Sequence, residues 1–500
     1  LQPGVDTLSI IRAYDLPDVF PEDALEEARS AAEAFRETDL DGREDLTRLL
    51  VVTIDPPDAR DFDDAVSLTV DPRSKHWLLG VHVADVAHFA PPGGPLDREA
   101  RKRGTSVYLP QRVLPMFPEL ISNGLASLQQ GKLRYVKSVF IDFTPTGQKT
   151  QVRFTNAAIR VARRFTYDEV SALLNSESWP PHFDPELHAL LRRMRDLAAI
   201  LRARRAKRGA LELSMPEIEL EYDERGQVTG GHFVVHDTSH QIIEEFMLQA
   251  NEAVAEHLSE LDVAFLRRAH PAPDPKKLQA FAEFARILGY RIDKEQDRFA
   301  LQRVLAESAG RPERHAVHYA LLRSLKQASY TPADIGHYAL ASAEYCHFTS
   351  PIRRYPDLTV HRLLDRWLRT GRAASDETEL AVLGEHCSKT ERRAESAERE
   401  LVKLKLLVYL ANRIGLETDV VITGVADYGF FAQAETLPCE GLVHVSTLTS
   451  DYYRYDEASH SLVGQRTKRR FRLGDRLRAQ VVRVDLQRRQ LDFRVVEPRR

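Results

Sequence analysis

Cysteine is scarce in this chain: Cys346, Cys387 and Cys439 are far apart and odd in number among 500 residues. That excludes a disulfide framework and a cysteine-based zinc site. It fits a reducing compartment, so no disulfides and a cytoplasmic location are expected. Long apolar runs are also missing; nothing approaches the roughly 18 uncharged residues of a membrane span, and no membrane partner is expected. Leu1–Val5 lacks the basic start and apolar stretch of a secretory leader, so none is expected. A net charge of −4 gives no global positive field to attract nucleic acid. What remains, 43% hydrophobic and 29% charged, is an ordinary soluble globular profile with length for about three domains.

What the chain does have is a concentration of aspartate. In Thr53-Ile-Asp-Pro-Pro-Asp-Ala-Arg-Asp-Phe-Asp-Asp-Ala-Val66, five of fourteen residues are Asp55, Asp58, Asp61, Asp63 and Asp64. An apolar run (Leu49 to Ile54) enters the stretch and an alternating one (Ala65 to Val70) leaves it. Carboxylates this close repel one another, and burial makes that worse. A hard divalent cation with oxygen ligands would relieve the repulsion. Asp61 and Asp63 are two apart, so they point the same way in an extended segment, while Asp64 reaches a second ion or binds through water. Two Mg²⁺-type ions about 3.5–4 Å apart suit phosphodiester hydrolysis. An EF-hand is excluded: Gly and Glu are needed at loop positions 6 and 12, where counting from Asp55 finds Arg60 and Val66, and from Asp61 finds Val66 and Pro72. An acidic surface loop is the competing reading, and pattern alone weighs the two evenly.

Pro21 followed by Glu22 and Asp23 starts a helix expected to reach Phe35, with an alanine face that would dock weakly. Residues 1–46 thus read as an N-terminal segment or linker. Residues 47–160 read as strands and loops. Helices are expected over 185–208, 239–260, 358–368 and 376–413, with a less informative helical region from 275 to 330. The first of these has a basic face that includes Arg202, Arg205 and Arg208, and a solvated face is favoured over a substrate-contacting one. From Leu416 the character changes to short β-branched runs at 420–422, 429–431, 441–445, 477–484 and 491–495. Five strands in about 80 residues fit a small closed barrel of the OB type. Residues 461–500 carry thirteen Lys and Arg against four acids, a local electrostatic footprint for nucleic acid.

Three further places carry candidate chemistry. In Thr349-Ser-Pro-Ile-Arg-Arg-Tyr-Pro-Asp357, two prolines stiffen a loop that sets Arg353 and Arg354 before a helix. Guanidinium groups suit a phosphoryl transition state, although a helix cap with surface arginines is at least as strong a reading. Tyr108 stands between Val107 and Leu109, either a core aromatic, the commoner case, or a platform for a stacked base. In the barrel, Tyr428, Phe430, Phe431 and His444 lie near the basic stretch. Of the adjacent Phe430 and Phe431, one should point in and the other out.

In this order the motifs resemble the RNase II/RNase R exoribonuclease family. The resemblance spans nearly all of residues 43–500. It rests on the aspartate stretch, Leu79–Val86, Ser106–Pro110, Ser122–Leu128, Ile243–Asn251, Thr349–Tyr355, and the tail with Gly441–Ser446 and Asp451–Asp456. It implies an α+β fold: an RNB-type catalytic domain over 47–413, then an S1 barrel over 414–500. The implied activity is hydrolytic, processive 3′-to-5′ degradation of single-stranded RNA to nucleoside 5′-monophosphates by a monomer. The implied cofactor is Mg²⁺, in one or two ions, with Mn²⁺ as a substitute. By position, Asp55, Asp61, Asp63 and Asp64 are the metal-binding and catalytic carboxylates. Tyr108 stacks on the 3′-terminal base and Arg353 stabilises the scissile phosphate. Glu244 or Glu245 contacts the terminal nucleotide, and Glu398 pairs with Arg353. Tyr428, Phe431, His444, Asp485 and Arg489 fall where an S1 domain meets RNA. A catalytically silent RNA-binding regulator on the same fold is the alternative, opposed by the intact aspartates and Arg353. Cold-shock domains normally come first in the family; only residues 1–46 stand there, so those domains are expected to be absent. The sequence also has Leu213 near a position where some members carry a clamping aromatic, and Ala126 where a Cys is frequent.

Overall fold

A computed structural model describes residues 4–176, 183–213, 217–456 and 461–497. Residues 1–3 of the expected N-terminal segment and 498–500 of the expected second domain lie outside these.

Among the described residues, the first third of the chain supplies nine strands. They are β1 (Glu44–Asp45), β2 (Val52–Asp55), β3 (Asp64–Val70), β4 (Trp77–Ala84), β5 (Val107–Leu109), β6 (Arg112–Leu114), β7 (Leu133–Phe143), β8 (Lys149–Arg160) and β9 (Arg163–Thr166). Seven form one mixed sheet in the order β1-β8-β7-β4-β3-β2-β9, and β5 and β6 make a separate hairpin. The central strands are buried on both sides; β4 is nearly all apolar, whereas β7 also buries Arg134, Lys137 and Ser138. Val52, Ile54, Val66, Leu68 and Val81 face the helices Pro185–Arg208 and Thr238–Glu260 through Leu190, Met194, Ile242 and Phe246. Val51, Ala65 and Ala84 face the other way, toward Phe89, Met116, Ile352 and Leu358.

Residues 1–46 do more than link. They form the helices Val5–Ala13 and Glu22–Ala34. Ala24 and Ala28 are buried against the sheet's second face; an alanine face docks close rather than weakly, because small side chains let backbones approach. Ile10 and Ile11 are fully buried with Leu401 of the long helix Glu377–Ala411. Lys405 of that helix forms a buried ion pair with Asp6 at 2.8 Å.

The region 275–330 contains the helices Pro275–Ile287, Arg298–Ser308 and Arg314–Ser324 around their own core, followed by the short strand Ser329–Thr331. The helix expected from Leu358 starts earlier and runs Tyr355–Thr370, with Pro356 in its first turn, where a missing N–H costs nothing.

The last portion is a closed five-stranded barrel of Glu417–Ala426, Gly429–Ala434, Glu440–His444, Gln490–Val495 and Arg476–Asp485. A three-stranded sheet (Tyr453–Asp456, Ser461–Gly464, Arg470–Arg472) was not anticipated from the sequence. The join is also less clean than a change of composition implies. Leu407 and Leu410, the last turns of the long helix, belong to the barrel's core. Among the described residues no helix is long and apolar enough to cross a membrane, and all three cysteines are free and buried.

Candidate active site

Sheet topology brings the aspartates together. β2 ends at Asp55 and β3 begins at Asp64, and these strands are antiparallel neighbours with Val52 opposite Val66. The connecting loop turns back on itself, so both carboxylates sit at one end of the sheet. Two residues outside the aspartate stretch hold that loop. Arg164 donates to the carbonyls of Pro56 (2.8 Å) and Pro57 (3.0 Å) and lies over the Phe62 ring. Ser127 donates to the Arg60 carbonyl (2.6 Å) and accepts from the Phe62 N–H (3.1 Å). The Ser122–Leu128 motif is therefore a support for the aspartate loop. Asp58 is exposed and outside the cluster.

The arginine loop arrives from nearly 300 residues away. The Ile352 N–H donates to Asp63 Oδ1 (2.8 Å), and Arg353 Nε stands 3.5 Å from Asp63 Oδ2. Arg353 is otherwise half-exposed, with one nitrogen on Ser350 Oγ at 3.0 Å. Arg354 differs: it is largely buried and tied to Asp357 (2.8 Å) at the start of the following helix, a structural role. The other edge of the loop pairs with the segment leading to Tyr108, where the Ser106 N–H donates to the Arg353 carbonyl (2.9 Å). Tyr108 on β5 then reaches the cluster, its hydroxyl donating to Asp61 Oδ2 at 2.6 Å while 38% of the residue stays exposed.

These contacts leave negative charge uncompensated. Burial, reinforced by Asp64, pushes the Asp55 carboxyl up to about 8. Burial lifts Asp63 well above the usual range despite Arg353, and Asp64 to about 6 despite Arg353 and Arg354. Asp55 Oδ2 and Asp63 Oδ2 are buried without a hydrogen-bond partner. A hard cation is what such an all-oxygen set accepts. The side chains do not converge on one point: among the described residues no group of three or more His, Cys, Asp or Glu is arranged to hold a metal ion. The reason is local, since Asp61 is turned to Tyr108 and Asp63 to the arginine loop. The donor chemistry fits a divalent cation.

Of the paired glutamates, Glu245 is fully buried and bound by Arg205 at 2.6 Å, whereas Glu244 is half-exposed and touches the same guanidinium at 3.3 Å. Arg205, expected on a solvated face, is thus an interior anchor. On the helix Thr238–Glu260, Glu244 lies one turn from His240, and Asn251 follows on the same stripe. His240 stacks on Tyr167 at 4.0 Å; burial and the nearby Asp64 and Asp55 raise that phenol. Asn251 accepts from the Phe348 N–H at 2.9 Å, just before the arginine loop. The Glu244 stripe therefore runs along the aspartate cluster. Tyr167, Arg164 and Arg205 have no signal in the sequence beyond the general basicity of their surroundings.

One expected contact differs. Glu398 does not pair with Arg353; its Oε1 accepts the Tyr108 backbone N–H at 2.7 Å, because the long helix passes behind β5. Burial pushes this carboxyl up to about 7.

The barrel residues divide as alternation requires. Phe430 is fully buried, whereas Phe431 is half-buried and meets the exposed Tyr428 edge-on at 6.3 Å. His444 lies across from Gly429, where a Cβ would stand 2.2 Å from the Val443 carbonyl, so only glycine lets the strands close there. Asp485 accepts from the Gln487 and Arg488 N–H groups, closing the last hairpin (3.1 and 2.9 Å). Arg489 pairs with Glu400 of the long helix, and Glu400 also accepts from Tyr14.

The same arrangement recurs in known proteins. The RNB domain family matches residues 43–370, and the S1 RNA binding domain family matches 413–495. The chain is 40% identical to Ribonuclease R of Thermotoga maritima over 99% of its own length and 71% of that protein. The chain belongs to the ribonuclease R family. It is 34% identical to the Escherichia coli Ribonuclease R over 98% of its length and 62% of that protein. Mycoplasma genitalium RNase R, solved in complex with ribose-methylated single-stranded RNA, superposes with a TM-score of 0.90 at 30% identity, covering 99% of this chain and 78% of that one. A double-stranded RNA complex of that protein gives a TM-score of 0.85. A member of this family is a 3′-to-5′ exoribonuclease.

Proposed function

We propose that this chain hydrolyses single-stranded RNA processively from its 3′ end, releasing nucleoside 5′-monophosphates, with Mg²⁺ held by Asp55, Asp61, Asp63 and Asp64. The observation that carries this reading is the convergence at Asp63. Its two carboxylate oxygens face the Ile352 N–H and the Arg353 guanidinium, next to a Tyr108 hydroxyl bound to Asp61. Three segments far apart in sequence meet there, each bringing a different chemical group.

A divalent cation bound by the carboxylates supplies a Lewis acid and lowers the pKa of water. The chain's own residues do the rest. Arg353 presents a charged, half-exposed guanidinium to the phosphate that develops negative charge. Tyr108 offers its exposed ring to the terminal base, and its hydroxyl holds Asp61 by a hydrogen bond at the edge of the cluster. Glu244 meets the terminal nucleotide, while Glu245 serves as ballast for Arg205. Tyr428, Phe431 and His444 form a stacking edge for the upstream strand. A catalytic body over 47–413 and an RNA-binding barrel from 414 divide these tasks. The free, buried cysteines fit work in the cytoplasm.

The test is incubation of 5′-labelled oligo(A) with Mg²⁺ or with EDTA. The expected result is a metal-dependent ladder shortening from the 3′ end. Unchanged oligonucleotide would overturn the reading in favour of an RNA-binding regulator, and internal fragments in favour of an endonuclease.

A further inference from the structure

Behind the hairpin that carries Tyr108 lies a second cleft, of about 370 Å³. It is bounded by Asp15 and Pro17, by Lys102 at the end of the helix Pro95–Arg103, and by His386, Lys389, Thr390 and Arg393 of the long helix. The last four recur at helical spacing and form one face. The lining carries three permanent cations and a histidine against a single acid.

Other interior-facing charges of the same helix are paired: Glu391 with Arg268 at 2.7 Å, Lys405 with Asp6 at 2.8 Å, and Glu400 with Arg489. In the cleft, Lys389 has only Glu385 on the exposed surface (2.6 Å). Among the described residues Lys102 and Arg393 have no ion-pair partner. Arg393 Nε is buried with no hydrogen-bond acceptor, an unfavourable state for a charged donor. His386 donates from Nε2 to the Arg101 carbonyl at 2.7 Å, which fixes its ring at the rim.

We propose that this cleft binds a phosphate group, supplied either by the backbone of an RNA strand outside the catalytic channel or by a free mononucleotide. A guanidinium fork beside two ammonium groups matches a tetrahedral oxyanion, and the space admits the attached sugar. The site is wired to the catalytic loops. Thr390 and Arg393 also line a narrow gap against Thr105 and Val107. Gly104 approaches Thr390 so closely that a Cβ would stand 2.2 Å from its hydroxyl. The Gly104 carbonyl accepts from the Tyr355 N–H, and the Ser106 N–H donates to Arg353. An occupant therefore bears on the backbone that sets Tyr108 and Arg353.

The test uses the full chain and the double variant Lys102→Gln/Arg393→Gln, with thermal melting to show that both fold. In one arm, inorganic phosphate and adenosine 5′-monophosphate are titrated calorimetrically in EDTA at constant ionic strength. A loss of affinity of about tenfold or more in the variant supports a free-phosphate ligand. In the other arm, KM is measured on a five-nucleotide and a twenty-nucleotide oligo(A). A KM raised about threefold or more on the long substrate alone supports a strand phosphate. Identical titrations together with identical KM values for both substrates would overturn the proposal.

Discussion

Tyr108 is held at both ends: its hydroxyl donates to Asp61 Oδ2 at 2.6 Å and its backbone N–H donates to Glu398 Oε1 at 2.7 Å. The ring between these anchors stays partly exposed beside the carboxylate cluster. An aromatic buried for packing alone would not need both contacts, and a mobile platform would have neither. Replacing Tyr108 by Phe keeps the ring and loses only the Asp61 contact. We expect it to hold RNA affinity within about threefold, whereas Tyr108→Ala should weaken binding of short oligonucleotides by about 1–3 kcal/mol. Fluorescence anisotropy in EDTA checks this, and equal losses for both variants would show that the hydroxyl, not the ring, matters.

Asp64→Asn should abolish turnover while leaving RNA affinity within a few-fold, because binding comes mainly from phosphate and stacking contacts made by other residues. The same variant should reduce the rise in melting temperature that a divalent cation gives the wild type. Near-wild-type hydrolysis would remove Asp64 from the site.

Arg205→Met leaves Glu245 as a buried carboxylate without its partner, and such a loss typically costs about 3–5 kcal/mol. The paired variant Arg205→Met/Glu245→Met should recover most of that stability yet leave Glu244 unanchored. The expected result is wild-type melting with a KM several-fold higher and kcat little changed. An unaltered KM would mean that Glu244 needs no anchor.

Acid sensitivity should trace to two buried aspartates. Burial opposes ionisation of Asp85, but Lys137 at 3.3 Å and Arg43 at 2.7 Å outweigh it and hold the carboxyl below its usual value. Asp6 is lowered in the same way: burial raises it, and Lys405 together with the Thr7 N–H and hydroxyl more than offsets that. A folded-state pKa below the unfolded value gives stability that is complete above the unfolded value, near 4, and is lost as pH falls through the folded one. Stability from these pairs should therefore be flat from neutral pH down to about 5 and drop below 4. Arg43→Leu should destabilise strongly at pH 7 and less at pH 4, where Asp85 can take a proton. Urea melts across this range test it, and a pH-independent penalty would contradict the pairing.

Arg489 pairs with Glu400 across the join between catalytic body and barrel. If it passes to an RNA phosphate on binding, Arg489→Gln should lower the salt slope of log affinity by about one unit. An unchanged slope would assign it to the join alone. Point substitutions are the right tool, since truncation at 416 would strip cover from Leu407 and Leu410.

Much of this was legible because it is local. The aspartate spacing, the apolar runs around it and the prolines of the arginine loop each carry their chemistry within a few residues. The periodicity of 185–208 marks the helix Pro185–Arg208, and the β-branched runs after Leu416 mark a barrel of five strands. Where expectation and structure part, the cause is long-range. Glu398 goes to Tyr108 because one 35-residue helix runs behind a hairpin formed nearly 300 residues earlier. Arg205 is interior because two helices pack face to face, which turns one member of a basic run toward Glu245.

The sequence by itself determined which residue types were available and the order of strands, helices and barrel, because hydrophobic period and turn chemistry are short-range. It also raised the question of a positive partner for the aspartates, since repulsion among close carboxylates follows from spacing, while an acidic surface loop fitted the same spacing equally well. Only the tertiary structure decided which charges meet. It put Asp55 beside Asp64 through antiparallel pairing, brought Arg353 to Asp63, chose Glu244 over Glu245 for exposure, and left Arg393 without an ion-pair partner among the described residues. Those outcomes depend on burial and on distances of a few ångströms between residues from nine to nearly 300 positions apart, and Coulomb energy and desolvation are set by those distances.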